Sequence, residues 1–573
     1  MKLRFKQLAS LALVLVMITS IILSGCKKEE KEQPADTSNK TQTTENSGQQ
    51  TEEKLKPIEL SVYINAPGQQ PPKDNKVYKL IEEKLGITFN FEFLVGDSKQ
   101  RFGVMIASGE YPDIINGGTE LINADAFLPL EELIENNAPN LHEHYKPYWN
   151  KIKDPDTGKL YIMPNYGVYN GEYKPTYHYG PAFWIQKEVL ADAGYPDIST
   201  IDTLDEYFAL IENYAKKYPE VDGKPTIGFE IISYDWRNFG LLNAPQHLIG
   251  KPNEGGVVVD YDTNVAEIFA DKDFAKAYYK KLNEINAKGL LDRETFTQNY
   301  DQYLAKLSTG RVLGMFDQGW NFGNAKNSLV EQGLDNRTWV PLPVMLDESY
   351  VGQDWYADRS VVNVNAGFGI SVSAKDPVRI IKMFDALVTE EWQKVLQWGI
   401  EGEDYMVDEK GRFYRTEEQR ANNKDQTWVL QNRAVPLWES SPKMEGFYSD
   451  GNATGSGEQP EEYFAALVEY DKKFLESYGK KTWGQFLSTP RENPVAYPAW
   501  QINIIDGSEA KIASTKLNDL SMKYLPNAIL AEPSKFDSVW DEYVKEIGKL
   551  NIKAYEDRIN EQIQWRLENW TSN

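Results

Sequence analysis

Apolar and polar side chains alternate through Ile58-Glu-Leu-Ser-Val-Tyr-Ile64 and stop at Asn65-Ala-Pro-Gly68, the pattern of a strand that runs into a loop. Apolar residues then recur at Val77, Leu80, Ile81 and Leu85 ahead of Gly86, the spacing of a helix closed by a glycine. A second alternating run covers 87–95, a helical stripe covers 100–108, and a short buried strand at 111–115 leads into Asn116-Gly-Gly118. These alternating periods predict a βαβαβ unit, hence an α/β fold with parallel strands and helical crossovers. Further on, residues 154–164 are expected as a hairpin turning at Asp156, Thr157 and Gly158. Residues 183–194 and 203–214 are expected as helices, the second opened by Thr203 with Glu206 at the capping-box position. Strands are expected at 228–233 and 312–316.

A parallel sheet of this kind receives ligands beyond the carboxyl ends of its strands. Those ends here are residues 65–68 and 116–119, rich in Gly, Asn and Pro, where backbone and amide groups are free to meet a polar ligand. Neither continues into Gly-Lys-Ser or Gly-Lys-Thr, so neither is a phosphate loop.

The N-terminus reads differently. Lys2, Arg4 and Lys6 precede an apolar stretch from Leu8 to Leu23 interrupted only by Ser10, Thr19 and Ser20, the form of an export signal. The stretch is shorter than the roughly 20 residues of a membrane span. It ends at Leu23-Ser-Gly-Cys26, which holds the one cysteine of the 573 residues and resembles the lipobox of bacterial lipoprotein precursors. That resemblance implies a signal peptide at 1–25 and a diacylated Cys26 as the first mature residue. Residues 27–54 carry no large apolar side chain and cannot build a core. They are expected to be a flexible tether spanning roughly 30 Å. The protein is thus expected at the extracellular face of the cell membrane, held by lipid. With its single Cys committed there, no disulfide can form within the chain.

Residues 55–573 are too many for one core, so two large lobes are expected. The formal charge is −24 and no cluster of Lys and Arg stands out, which argues against nucleic acid as a partner. More informative are 15 Trp and 33 Tyr, because a flat apolar face with a polar edge suits a sugar ring. Most of these aromatics are nevertheless expected in the core.

The motifs Ser108-Gly-Glu-Tyr-Pro-Asp-Ile-Ile115, Gly158-Lys-Leu-Tyr-Ile-Met-Pro164, Trp184-Ile-Gln-Lys-Glu188, Leu307-Ser-Thr-Gly-Arg-Val-Leu-Gly-Met-Phe-Asp-Gln-Gly-Trp320 and Gly399-Ile-Glu-Gly-Glu-Asp-Tyr405 occur in that order behind the lipobox. In this the chain resembles family 1 extracellular solute-binding proteins, in the long Gram-positive lipoprotein branch related to maltose-binding protein. The resemblance implies a two-lobed periplasmic-binding-protein-like fold of type II, with a hinge and a ligand cleft between the lobes. Lobe 1 would be 55–170 plus 362–399, and lobe 2 would be 171–361 plus 400–573. It also implies the receptor subunit of an ABC importer, a monomer that captures a carbohydrate, works with permease transmembrane subunits, needs no cofactor and catalyses nothing. Fold alone does not fix the ligand.

Carried over residue by residue, the resemblance points to Tyr234, Asp235 and Trp236 after the strand at 228–233, to Asp317 and Trp320 at the end of the strand at 312–316, and to Asn65 and Asn116 in the first lobe. Trp184, Trp355, Trp438 and Trp500 are further aromatic candidates, with Trp184 read as core. His142 and His144 stand in a polar segment with no other His or Cys nearby and are read as a solvated pair, not a metal site. Some long relatives carry a calcium loop after the helix corresponding to 203–214. Residues 218–225 offer only Glu220 and Asp222 where calcium needs 6 to 8 oxygens, so no metal is expected. The alternatives are an exported carbohydrate-active enzyme hiding a carboxylate pair among 86 Asp and Glu, or a ligand-sensing lipoprotein of the same fold. Cys26→Ala is expected to release the protein from membranes, read by fractionation, and to leave ligand affinity unchanged, because the tether separates anchor from fold.

Overall fold

The alternation that opens the chain becomes the first of nine strands that frame the molecule: β1 (Ile58–Ile64), β2 (Ile87–Phe93), β3 (Ile114–Asn116), β4 (Ile162–Pro164), β5 (Pro181–Gln186), β6 (Ile227–Glu230), β7 (Val312–Gln318), β8 (Trp339–Leu342) and β9 (Gly367–Ile370). The computed structural model describes residues 56–170, 176–491 and 496–570, and Leu55–Asn573 forms one compact unit. Cys26, the expected signal and the tether lie outside the described residues. Among the described residues no helix is long and apolar enough to cross a membrane.

The first sheet has the order β2-β1-β3-β9-β4. β1 runs parallel to β2, with Ile58 beside Ile87, and parallel to β3, with Val62 beside Ile114, while β9 is antiparallel to β3 and β4. The expected βαβαβ unit is present. Its first crossover, the helix Lys76–Leu85, is capped by Asn75 and closed by Gly86 at φ 64°. Leu60, Val62 and Ile64 enter one core and Tyr63 the core on the opposite face, as a period of two requires. Within the motif Ser108–Ile115, Asp113 is structural: it accepts from the Ser61 N–H and hydroxyl at 2.8 and 2.6 Å and from the Lys375 N–H at 2.9 Å.

The second sheet has the order β8-β5-β7-β6. β5 is antiparallel to both β7 and β8, and β7 is parallel to β6. Around it lies the larger core, which extends into the C-terminal helices Glu509–Leu530, Phe536–Ile547 and Ile552–Asn569. Ala434 and Leu437, although late in the chain, pack into the first core.

Two expectations are corrected. Residues 183–194 are not one helix: β5 occupies Pro181–Gln186 and only Lys187–Asp192 is helical. The strand half is buried on both faces, so it shows no alternation, and Trp184 inside it donates its indole N–H to the Asp317 carbonyl at 2.9 Å. Residues 154–164 make the expected turn, with the Asp154 carboxylate accepting from the Thr157 N–H and hydroxyl, but not a hairpin. The strand that follows, β4, pairs with β9 instead. The helix Leu204–Lys217 does open with the full Thr203–Glu206 capping box.

Candidate functional site

Strand β7 carries the site to its place. Asp317, next to its end, is fully buried and does not line the cavity described below. Its carboxylate accepts from the Tyr303 hydroxyl at 2.6 Å, from Asn321 Nδ2 at 3.0 Å to each oxygen, and from the Gln318 N–H at 2.7 Å. Burial pushes this carboxyl up to about 7, against those donors. The turn after it is pinned from the other side, with the Gly319 N–H on the Gly180 carbonyl and the Trp320 N–H on the Tyr179 carbonyl, at 3.0 and 3.2 Å. A side chain at Gly319 would meet the His178 carbonyl at 2.6 Å, so only glycine permits this approach. Trp320, held at both ends of its turn, stays 48% exposed.

Trp236 sits on the 3-10 turn Asp235–Asn238 beyond β6. Arg237 lies over its ring at 4.3 Å, over Tyr300 at 3.9 Å, and pairs with Asp235 at 3.1 Å. The same guanidinium donates through Nε to Asn321 Oδ1 at 3.2 Å, so Asn321 joins the turn of Trp236 to the carboxylate that fixes the turn of Trp320. The two indoles consequently stack, with centroids 5.9 Å apart and planes 14° from parallel.

Both line a cavity of about 1130 Å³. Phe239, Gln318, Trp355 and Trp500 also line it, as do Tyr166, Asn363 and Ala366 from the chain near β4 and β9. Lys443, Glu445 and Glu458 add charged groups to the wall. Burial lowers Lys443 to about 8 and raises Glu445 and Glu458 to about 7. Glu445 is already engaged, accepting from the Gly167 and Val168 N–H groups.

Of the residues singled out in the sequence, Trp236, Trp320, Trp355 and Trp500 line this cavity, while Trp184 and Trp438 do not. Tyr234, 46% exposed, and Asp235 lie on the same turn as Trp236 without lining it. Asn65 and Asn116 are brought to each other, the Asn65 N–H on Asn116 Oδ1 at 3.3 Å, and are occupied structurally. Asn65 accepts from the Ser98 hydroxyl, and Asn116 donates to the Gly367 carbonyl. Asp317, expected to meet the ligand, is buried and does not line the cavity. His142 and His144 are not a solvated pair: His142 packs on Trp149 at 4.7 Å, and burial takes His144 down to about 3. Glu445 and Glu458 on the cavity wall were not anticipated from the sequence. Neither carries a local sequence signal that sets it apart from the other acids of the chain.

Two α/β lobes with an aromatic-lined cavity between their sheets define a ligand-binding protein of the two-lobed, type II class. The chain belongs to the bacterial extracellular solute-binding protein family, whose model matches residues 68–394. It is 23% identical over 508 residues to the fructooligosaccharide ABC transporter substrate-binding protein FusA of Streptococcus pneumoniae, covering 84% of this chain and 86% of that one. The solved structure of FusA in complex with kestose matches with a TM-score of 0.62 at 19% identity, over 89% of this chain and all of that one. An HMO-binding, ABC-transporter-associated solute-binding protein from Bifidobacterium longum infantis matches with a TM-score of 0.61 at 15% identity, over 90% of this chain and 99% of that one.

Asp317→Asn places an amide N–H₂ among groups that donate. At pH 5 this is expected to lower unliganded stability by about 1–3 kcal/mol. Because burial raises the Asp317 carboxyl above its unfolded value, its contribution is complete below about pH 4 and is lost as pH rises through about 7. The stability gap between wild type and variant should therefore narrow from pH 5 to pH 8, measured by thermal unfolding without ligand.

Proposed function

We propose that this chain is the receptor subunit of an ABC importer, a monomer that captures an oligosaccharide outside the cell and hands it intact to a membrane permease. One observation carries the reading: Trp236, Trp320 and Trp500, 60, 48 and 38% exposed, are the most exposed indoles among the described residues, and all three line one cavity. Large aromatics left in water are a loss that a soluble protein accepts where something else covers them. The C–H face of a sugar ring fits a flat indole, with the polar ring edge left for hydroxyls. The cavity also exceeds the roughly 300–1,000 Å³ usual for small-molecule sites, room for several rings. The relatives named for fructooligosaccharide and HMO binding point to the same ligand class. On this reading Cys26 carries the lipid anchor, and the lobes divide at 55–170 plus 362–399 and 171–361 plus 400–573, with the stretch around Ala434 and Leu437 lying against the first.

The test is calorimetry with kestose, nystose and other oligosaccharides. Trp320→Ala should weaken binding of the best of them by at least roughly 30-fold, about 2 kcal/mol, without lowering the unliganded melting temperature. Equal affinity in the variant removes Trp320 from the site.

The carboxyls of Glu445 and Glu458 on the cavity wall invite comparison with a glycosidase pair. Glu445, however, is tied through Oε2 to the Gly167 and Val168 N–H groups and serves to hold the backbone there. Prolonged incubation with a bound oligosaccharide is expected to return it unchanged, followed by chromatography of the sugar. A product lost on Glu458→Gln would move the protein to the enzymes.

A further inference from the structure

Trp500 reaches the cavity from a turn with an unusual set of attachments. Below, the buried Glu254 carboxylate accepts from the Tyr497 N–H at 2.7 Å and the Ala499 N–H at 2.6 Å. Gly255, at φ 76°, comes so close that a side chain there would touch the Trp500 Cβ at 3.0 Å. These contacts fasten the turn to the second core, which takes in Tyr497, Ala499 and Ile502.

The next residue faces the other way. Gln501 is 4% exposed, and its amide bonds the chain segment that leads from the second core to β9 of the first sheet. Nε2 donates to the Val362 carbonyl at 3.0 Å and Oε1 accepts from the Val364 N–H at 3.1 Å, so one side chain stands in for a neighbouring strand. Asn365 returns a bond from its Nδ2 to the Gln501 carbonyl at 3.3 Å. Two residues on, Asn503 donates to Asn123, just beyond β3, at 3.0 Å, and its carbonyl accepts from Arg558, which pairs with Asp156 of the first lobe at 2.5 Å.

Resting on the receptor reading above, we infer that Gln501 is a positioning residue: its amide clasps the crossing segment 362–365 and thereby fixes Trp500 as a third ring platform whose place depends on the angle between the lobes. Trp236 and Trp320 stand on the second lobe alone, tied to each other through Asn321 and Arg237. Trp500 differs, because its neighbour in the chain holds the connection that must bend when the lobes move. Rotation about that segment either carries the indole with it or breaks two buried hydrogen bonds. A ligand stacked on Trp500 therefore biases the hinge, and the hinge sets whether the third ring is available.

The test uses the full chain labelled with 5-fluorotryptophan and a sugar set of kestose, nystose, maltotriose and cellotriose, the strongest binder serving throughout. Loss of a fluorine line in Trp500→Phe identifies that ring, and Trp236→Phe and Trp320→Phe identify the others. Gln501→Met, of similar shape but unable to make either bond, should shift or broaden the Trp500 line without sugar while the other two lines stay. It should also weaken sugar binding by about 10-fold, as expected for two modest hydrogen bonds. Since the effect runs through Trp500, the pair Trp500→Ala with Gln501→Met should bind no more weakly than Trp500→Ala alone. Should Gln501→Met not fold, Gln501→Asn, whose amide is one methylene short of the segment, takes its place in each arm with the same expected direction. An unmoved Trp500 line, or losses that add in the double variant, overturns the inference. If no sugar binds the wild type, the receptor reading fails and the fluorine lines alone judge the clasp.

Discussion

The carboxylate of Asp317 is the interaction on which the second-lobe face of the cavity depends. A buried acid is costly unless its oxygens are satisfied, and here the groups that satisfy it are the parts of the site. Gln318 and Asn321 bracket the turn of Trp320, and Asn321 passes the constraint to Arg237, which lies on Trp236. Two indoles from turns about 80 residues apart are thus placed by one side chain that reaches neither ring. The donors also close a circuit with the core, since Tyr303 binds Asp317 and touches Met315 on the same face of β7. Rigidity at the ring platform is borrowed from the sheet.

The first sheet was legible because its signals are local. In β1 and β2 the period of two is clean, the intervening helix has its cap residues, and neither depends on distant partners. The stretch 183–194 was not, because a strand buried on both faces followed at once by a short helix merges into one apolar run that periodicity cannot divide. The partner of β4 was hidden for a different reason: it lies in β9, some 200 residues later, and turn chemistry at Asp154 says nothing of it. At the site, the aromatic residues were readable as types and Trp236 and Trp320 by their place after strands. The burial of Asp317 was not legible, because β7 is buried on both faces and its sequence shows no alternation. Asp317 shares a face with Met315, whereas Gln318 points the other way and lines the cavity. Trp500 was readable only as a residue type; what holds its turn, the contacts of Glu254 and Gln501, is brought together only by the folded chain.

Two segments far apart in sequence are bonded to one another beside the cavity. Tyr169–Asn170 runs parallel to Glu445–Gly446, and Glu445 caps the N–H groups of Gly167 and Val168. These bonds tie the chain after β4 to the segment around Glu445. Burial brings the Glu445 carboxyl up to about 7 and the Lys443 amine down to about 8, so both groups on this wall are held away from their ordinary values by the same lack of solvent.

The exposure of the three indoles sets a scale for what a ligand gains. Taking about 200 Å² per ring, their exposed fractions leave about 300 Å² of largely apolar surface open in the cavity. Covering it is worth about 7 kcal/mol at the usual 25 cal/mol per Å². Association itself costs at least about 4 kcal/mol in lost freedom, and ordering a flexible oligosaccharide adds to that. Ring stacking alone therefore yields only weak capture, and tighter binding has to come from hydroxyl hydrogen bonds on the polar wall and from contacts made by both lobes together. The exposed rings thus orient a ligand, and contacts from both lobes together set how tightly it is held.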